Sequence, residues 1–201
     1  MKKKIFIAGA SGFLGINLIN LLSNDFILYN AIHKNKININ KKNLINIDMK
    51  NFEKSKRKLI SLSPDIIIHS AALTDIEKCE KNKTLCYNAN YKVTEKLLEI
   101  SKIIKAKFIY ISSDSLFKGN KSFYKENEKK KTLNYYSFCK SKSEEYIIKN
   151  YKNYLIIRTN FFGFAPSTRK SLLDFICDNL SKKKKYFYTK MYFLHQYQST
   201  I

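Results

Sequence analysis

The sequence predicts an α/β protein built on a doubly wound parallel sheet. Three observations carry that expectation. Short isoleucine-rich runs alternate with helical patterns along the chain. The run Asp65-Ile66-Ile67-Ile68-His69 is apolar without alternation, as a strand covered on both faces must be. The first run, Ile5-Phe6-Ile7-Ala8, leads directly into glycines at 9, 12 and 15, the strand-to-helix turn with which such sheets begin.

Each element follows from its own pattern. A strand is expected at 4–8, and Leu14, Leu18, Leu21 and Leu22 recur at helical spacing over 13–23. Strands at 26–32 and 43–47 precede a helix over 51–62, and the central strand fills 65–69. Then come a helix over 84–103, a strand over 106–112, a helix over 134–150, a strand over 154–158 and a helix over 168–182. No repeat or long linker interrupts the series. A chain of 201 residues can build one substantial core, or one domain and part of a second.

Composition narrows the function classes. The formal charge of +22 would ordinarily suggest nucleic acid or an acidic membrane surface. Here the lysines are scattered, and the only arginines are Arg57, Arg158 and Arg169. With no zinc-finger, RNA-reading or basic-helix motif, the charge is read as solvated faces and nucleic acid is not expected as a partner. Lys182 to Lys185 read as an exposed helix end. No apolar run is long enough for a membrane span, and Lys2 to Lys4 lead straight into a core strand, so neither membrane insertion nor a secretory leader is expected. Cys79, Cys86, Cys139 and Cys177 have neither metal-ligand spacing nor a secreted framework, so we expect reduced cytoplasmic thiols and no metal site. Because Cys79 and Cys139 neighbour other candidate positions, an accessible thiol is the alternative there.

The glycine turn is a candidate anion site. A buried strand running through a tight turn into a helix leaves backbone N–H groups and the positive helix end facing the turn, which suits a pyrophosphate. Gly9 would permit the turn, Gly12 would clear space for phosphates, and Gly15 would let helix and sheet approach. An ordinary βα turn is the bland alternative. The second strand ends at Ile32-His33-Lys34, with no carboxylate for an adenosine ribose hydroxyl. His33 and Lys34 can instead pair with a 2′-phosphate, which favours NADP(H) over NAD(H), although Lys34 also belongs to the general lysine surplus. Asp48 is either an adenine-edge contact or a helix N-cap. Ser70-Ala71-Ala72 leave room for a ligand across the strand end, and His69 is expected to be packed and hydrogen-bonded, with catalysis as its alternative.

The chemical half lies downstream. The strand over 106–112 would deliver Ser112 and Ser113 to the carboxyl edge of the sheet. In Asn134-Tyr135-Tyr136-Ser137-Phe138-Cys139-Lys140, Tyr136 and Lys140 are four apart and share a helix face. An ammonium beside a phenol lowers its pKa, making Tyr136 able to exchange a proton near neutral pH. Ser113 could hold a substrate oxygen, and Lys140 the nicotinamide ribose hydroxyls. A Y-x-x-x-K pair arises often by chance in lysine-rich helices, so its place in the order carries the weight.

This ordered set resembles the extended short-chain dehydrogenase/reductase superfamily, and within it the dTDP-4-dehydrorhamnose reductase family of sugar-nucleotide reductases. The resemblance runs over about residues 4–180. It takes in the turn from Gly9 to Gly15, the 69–80 segment, Asn88-Ala89-Asn90, the Ser-Ser-Asp-Ser-Leu-Phe-Lys-Gly stretch ending at Gly119, the Tyr136/Lys140 pair and the Ile-Arg-Thr-Asn-Phe-Phe-Gly segment over 157–163. It implies a Rossmann-type NAD(P)-binding domain over 1–160 and a truncated substrate-binding region over 161–201. By the same resemblance Ser113, Tyr136 and Lys140 form a catalytic trio, with Tyr136 as general acid in the reducing direction. Ser11, Phe13 and Leu14 join the cofactor loop, Ala71 and Ala72 flank the dinucleotide, Asn88 supports the site, and Phe161 lies near the nicotinamide. The implied reaction is NADPH-dependent reduction of the 4-keto group of a nucleotide-linked 6-deoxyhexose, with dTDP-L-rhamnose as family product and a role in cell-surface polysaccharide synthesis. A related epimerase or dehydratase, or a shortened cofactor-binding homologue without efficient turnover, is the alternative. Family members extend well beyond residue 201, and Lys190 and Leu194-His195 depart from the family pattern. The aromatic stretch from Tyr186 to Tyr197 would need burial against the core or another chain, which admits a homodimer.

Overall fold

The computed structural model describes residues 1–32, 44–47, 52–164 and 171–181. Its elements in chain order are β1 (Lys4–Ala8), α1 (Phe13–Leu22), β2 (Ile27–Ile32), β3 (Leu44–Asn46), α2 (Phe52–Leu62), β4 (Ile66–His69), α3 (Ile76–Lys81), α4 (Lys83–Tyr87), a π-helical turn (Asn88–Lys92), α5 (Val93–Ile104), β5 (Lys107–Ile111), a 3₁₀ turn (Asp114–Leu116), α6 (Tyr135–Asn150), β6 (Tyr154–Ile157) and α7 (Leu172–Ser181). The six strands form one sheet in the order β3-β2-β1-β4-β5-β6, and every pairing is parallel. The Rossmann-type, doubly wound α/β class expected from the sequence is the observed one.

The apolar strand runs explain this arrangement, because a strand with no polar face is stable only with layers on both sides. In β1, Phe6 and Ala8 face one layer with Leu59, Leu97, Leu98 and Phe108, while Ile5 and Ile7 face the other with Ile19, Leu28 and Ile68. Full burial of each such leucine, isoleucine or phenylalanine contributes roughly 1.5–3 kcal/mol. β1 lies between β2 and β4, with Ala8 paired to Ala31 on one side and His69 on the other. The strand order reverses between β1 and β4, so a crevice opens at their carboxyl ends. Gly9 and Ser70 stand at its two lips.

The strands fall within a residue or so of expectation, and the helix expected over 84–103 is realised as one continuous helical run from Lys83 to Ile104, made of α4, the π turn and α5. Asp75 caps α3, a helix absent from the expected elements, by accepting from the Lys78 N–H at 2.9 Å. Asn82 ends α3 and caps α4 through the Leu85 N–H at 2.8 Å. Two short polar caps thus start α3 and separate it from α4, ahead of the expected helix. The π turn then inserts an extra residue and brings both Asn90 and Tyr91 into the interior. At the other end, α7 covers 172–181 of the expected 168–182; residues 165–170 and Lys182 lie outside the described residues.

Candidate active site

The glycine turn has the geometry its residues require. Gly9 has φ +91°, and a Cβ there would stand 2.6 Å from the Ala71 nitrogen. The Gly12 N–H donates to the Gly9 carbonyl at 3.0 Å, and Ala10 N–H donates to the Ala31 carbonyl at 3.2 Å, tying the turn to itself and to β2. Gly15 is buried, and a Cβ there would lie 2.6 Å from Ala10 Cα. Gly12 is the N-cap of α1, with no side-chain cap and no acidic residue in the first turn. The positive end of α1 therefore faces the crevice without an anion of its own, beside a cradle that a side chain would fill. Ser11, Phe13 and Leu14 are all partly buried around it.

Phe161 reaches this end from beyond β6, its ring 6.4 Å from that of Phe13, and Gly163 packs on the Phe13 ring. Ala71 and Ala72 form the opposite wall after β4. Ser70 anchors that wall by donating both its N–H and its hydroxyl to the Ala8 carbonyl, each at 2.9 Å. The side chain that supports the wall is Asn90 and not Asn88. Asn90 is buried, accepts from Leu73 N–H at 2.8 Å and donates to Leu73 carbonyl at 3.1 Å. Asn88 is exposed at the start of the π turn, which rotates the second asparagine inward instead.

His69 is a packed residue, as expected. It is 1% exposed, and its Nε2 lies 3.0 Å from Thr94 Oγ1. The Thr94 hydroxyl already donates to the Asn90 carbonyl at 2.8 Å, so Nε2 is the donor to Thr94. Burial, with the nearby Lys140 charge, pushes the His69 pKa down to about 3 and keeps the ring neutral. The three cysteines nearest the site, Cys79, Cys86 and Cys139, are buried free thiols, while Cys177 is exposed. Burial pushes Cys79 and Cys139 up to about 12, which answers the question of an accessible thiol at those two positions.

The structure brings Ser113, Tyr136 and Lys140 to the carboxyl edge of β5. Ser113 caps the 3₁₀ turn, accepting from Ser115 N–H at 3.2 Å, with the two serine hydroxyls 2.8 Å apart. Asn134 and Ser137 form a reciprocal cap that starts α6 just before Tyr136. Lys140 is 3% exposed, and its Nζ donates to the Ile111 carbonyl at 2.5 Å and sits 4.2 Å from the centre of the Tyr110 ring.

One electrostatic expectation is corrected here. Burial pushes Tyr136 up to about 12, with a hydrogen bond from Ser113 as the opposing influence and Asp114 adding to the rise. Burial outweighs the help expected from Lys140, which burial itself drives down to about 7 while the Glu144 carboxylate pulls the other way. Desolvation exceeds the charge effect that spacing alone suggested. Sequence reasoning also missed Glu144, although Tyr136, Lys140 and Glu144 recur every four residues on α6.

The model of the RmlD substrate binding domain matches residues 2–187 of this chain. The chain belongs to this family. Among curated proteins, this RmlD-family chain is similar to the spore coat polysaccharide biosynthesis protein SpsK of Bacillus subtilis (strain 168), 28% identical over 171 residues, 82% of this chain and 55% of that protein. It is similar also to the dTDP-4-dehydrorhamnose reductase of Aggregatibacter actinomycetemcomitans, 26% identical over 80% of this chain and 52% of that one. Among solved structures, a hypothetical dTDP-4-dehydrorhamnose reductase from Sulfolobus tokodaii shares 32% identity with a TM-score of 0.67, over 79% of this chain and 55% of that one. The dTDP-4-dehydrorhamnose reductase of Bacillus anthracis str. Ames, solved in complex with NADP, shares 27% identity with a TM-score of 0.76, over 92% of this chain and 62% of that one. The chain thus spans about half the length of the curated relatives it matches.

Three expected cofactor contacts, His33, Lys34 and Asp48, lie outside the described residues, as does the aromatic stretch from Tyr186 to Tyr197. Among the described residues no helix is long and apolar enough to cross a membrane, and no cluster of three or more histidine, cysteine or acidic side chains could hold a metal ion.

Proposed function

We propose that this chain binds NADP(H) in preference to NAD(H) and acts as an NADPH-dependent reductase of the 4-keto group of a nucleotide-linked 6-deoxyhexose, in cytoplasmic synthesis of surface polysaccharide. The observation that carries the reading is the delivery of two half-sites to one edge of one sheet: an uncapped glycine turn at β1 and the Ser113, Tyr136 and Lys140 set at β5. The NADP bound to the Bacillus anthracis relative supports the choice of dinucleotide. Residues 1–160 are the dinucleotide-binding part and 161–201 begin the substrate-binding region.

In this reading the backbone N–H groups of Ser11, Phe13 and Leu14 hold the pyrophosphate, with Gly9, Ala71 and Ala72 as the floor. His33 and Lys34 pair with the 2′-phosphate, Asp48 meets the adenine edge, and Phe161 and Phe13 shield the nicotinamide end. The cofactor supplies the hydride. Ser113 orients the keto oxygen by a hydrogen bond, and Tyr136 donates the proton that the oxygen needs. A phenol held at about 12 stays in its protonated, donor form at neutral pH. Lys140 stands one turn away to hold the ribose hydroxyls.

The test is turnover with a nucleotide-linked 4-keto-6-deoxyhexose beside separate binding of NADPH and NADH. Tyr136→Phe should lower turnover by about 10²–10⁴-fold while leaving NADPH affinity within about threefold, because the phenol acts on the proton and not on the phosphates. A folded chain that binds NADPH and oxidises none of it across a panel of nucleotide-sugar ketones defeats the reductase assignment.

A further inference from the structure

Glu144 lies one helical turn beyond Lys140 on the face of α6 that carries Tyr136. Its side chain is 0% exposed, and a carboxylate so buried requires partners. Arg158, the first residue after β6, grips it in two places: Nε donates to Oε1 at 3.0 Å and Nη2 to Oε2 at 2.8 Å. Lys130 Nζ donates to Oε2 at 3.4 Å.

Both cations also hold the segment over 117–133, the stretch that joins the Ser113 turn to the start of α6. Arg158 Nη1 donates to the Glu126 carbonyl at 2.9 Å, and its guanidinium lies 5.4 Å from the centre of the Phe117 ring. Lys130 Nζ donates in addition to the Ser141 carbonyl of α6 at 3.4 Å and pairs with Glu145 at 3.3 Å. Around Lys140 the groups on each packed element are the Ile111 carbonyl and Tyr110 ring of β5, His69 of β4, and Tyr136 and Glu144 of α6 itself. Glu144 is the anion acting on that amine. Around Glu144 they are Arg158, Lys130 and the Ser112 hydroxyl.

We propose that Glu144 is a positioning residue of this site: it ties the 117–133 segment to α6 and sets a buried negative charge one helical turn from the Lys140 amine. This rests on the reading of Tyr136 and Lys140 as the chemical pair. A purely structural ion pair would serve the first role and not the second, since an apolar pair of equal volume can hold a fold as well. The second role makes the charge of a side chain that never reaches the crevice matter at its edge.

The test is the titration midpoint of Lys140 itself, followed by the ¹³Cε resonance in the full 201-residue chain with ¹³C-labelled lysine. The resonance is assigned by its loss in Lys140→Met. Removing the anion in Glu144→Gln should lower the midpoint by roughly half to one pH unit, and removing a competing cation in Lys130→Met should raise it by a few tenths. The opposed signs are the signature, for general loosening would move both the same way. Midpoints within about 0.1 of wild type in both folded variants, or shifts of one sign, overturn the proposal. If Glu144→Gln does not fold, Glu144→Asp takes its place: drawing the carboxylate back by one methylene should lower the midpoint by a few tenths, whereas a rise or no change overturns the proposal. These shifts need no substrate. A wild-type chain that shows them but reduces no nucleotide sugar would sink the reductase reading and leave the Glu144 assignment intact.

Discussion

Replacing Gly15 with alanine tests how closely α1 approaches the sheet. A Cβ there would stand 2.6 Å from Ala10 Cα and 2.8 Å from Ala10 C, and would press on the Gly9 carbonyl oxygen. Carbon atoms in ordinary contact sit about 3.5–4.0 Å apart, so the overlap is about 1 Å. All three neighbours are backbone, and the turn is held by the Ala10-to-Ala31 and Gly12-to-Gly9 hydrogen bonds, so no side-chain rotation relieves it. Overpacking of this kind costs about 1–3 kcal/mol or more. Alanine in a helix recovers about 1 kcal/mol over glycine. The clash should win, with a net loss of about 2 kcal/mol, which for a chain of this size lowers Tm by roughly 4–8 °C. Gly12→Ala is the control: its Cβ meets only the Gly9 oxygen, at 3.3 Å, so it should stay within about 1 kcal/mol of wild type. Urea denaturation of both variants supplies the comparison. A Gly15→Ala protein as stable as wild type, with an unchanged m-value, would mean that α1 does not sit where the argued approach requires.

Two further outcomes follow from buried polar groups. Lys140 titrates near 10.5 when unfolded and near 7 when folded, so between those values the unfolded chain binds one more proton. Stability should therefore rise with pH from about 7 towards 10.5, by at most about 1.4 kcal/mol per pH unit from this group, and level off below about 7, where both states hold the proton. Lys140→Met should remove that slope; a difference between wild type and variant that stays constant across the range would refute it. Asn90→Ala removes the clamp on both polar groups of the Leu73 backbone and should cost about 2–4 kcal/mol. Asn88→Ala should stay within about 0.5 kcal/mol, and equal denaturation losses for the two would reverse the assignment of the supporting asparagine.

The parallel sheet was legible because Ile5 to Ala8 and Ile66 to His69 carry no polar face, and a strand of that kind has few other environments open to it. The glycine turn was legible because three glycines follow such a strand at once. What stayed hidden depends on burial and helical phase. Asn88 and Asn90 are two residues apart in one tripeptide, and only the π turn at Asn88–Lys92 decides which one points inward. The start of α3 and its separation from α4 rest on Asp75 and Asn82, polar residues that a search for apolar periodicity passes over. Spacing placed Lys140 beside Tyr136 but carried no measure of how dry the pair would be, and desolvation set both groups. Glu144 was one of sixteen acidic residues in a strongly basic chain, marked only by its place four residues beyond Lys140 on the face that carries Tyr136.

The closeness of Gly9 to Ala71 has a consequence for how this molecule is made. The floor of the glycine turn is backbone from the far side of β4, about sixty positions later in the chain. During synthesis from the amino end, residues 4–22 can form a strand and a helix early, yet the floor of the turn between them does not exist until the segment through Ala72 has left the ribosome. β1 waits with both edges open, paired at first only by the later β2. The turn at residues 9–12 is thus encoded first and completed late, and an exposed apolar β1 is the segment that needs protection during the interval.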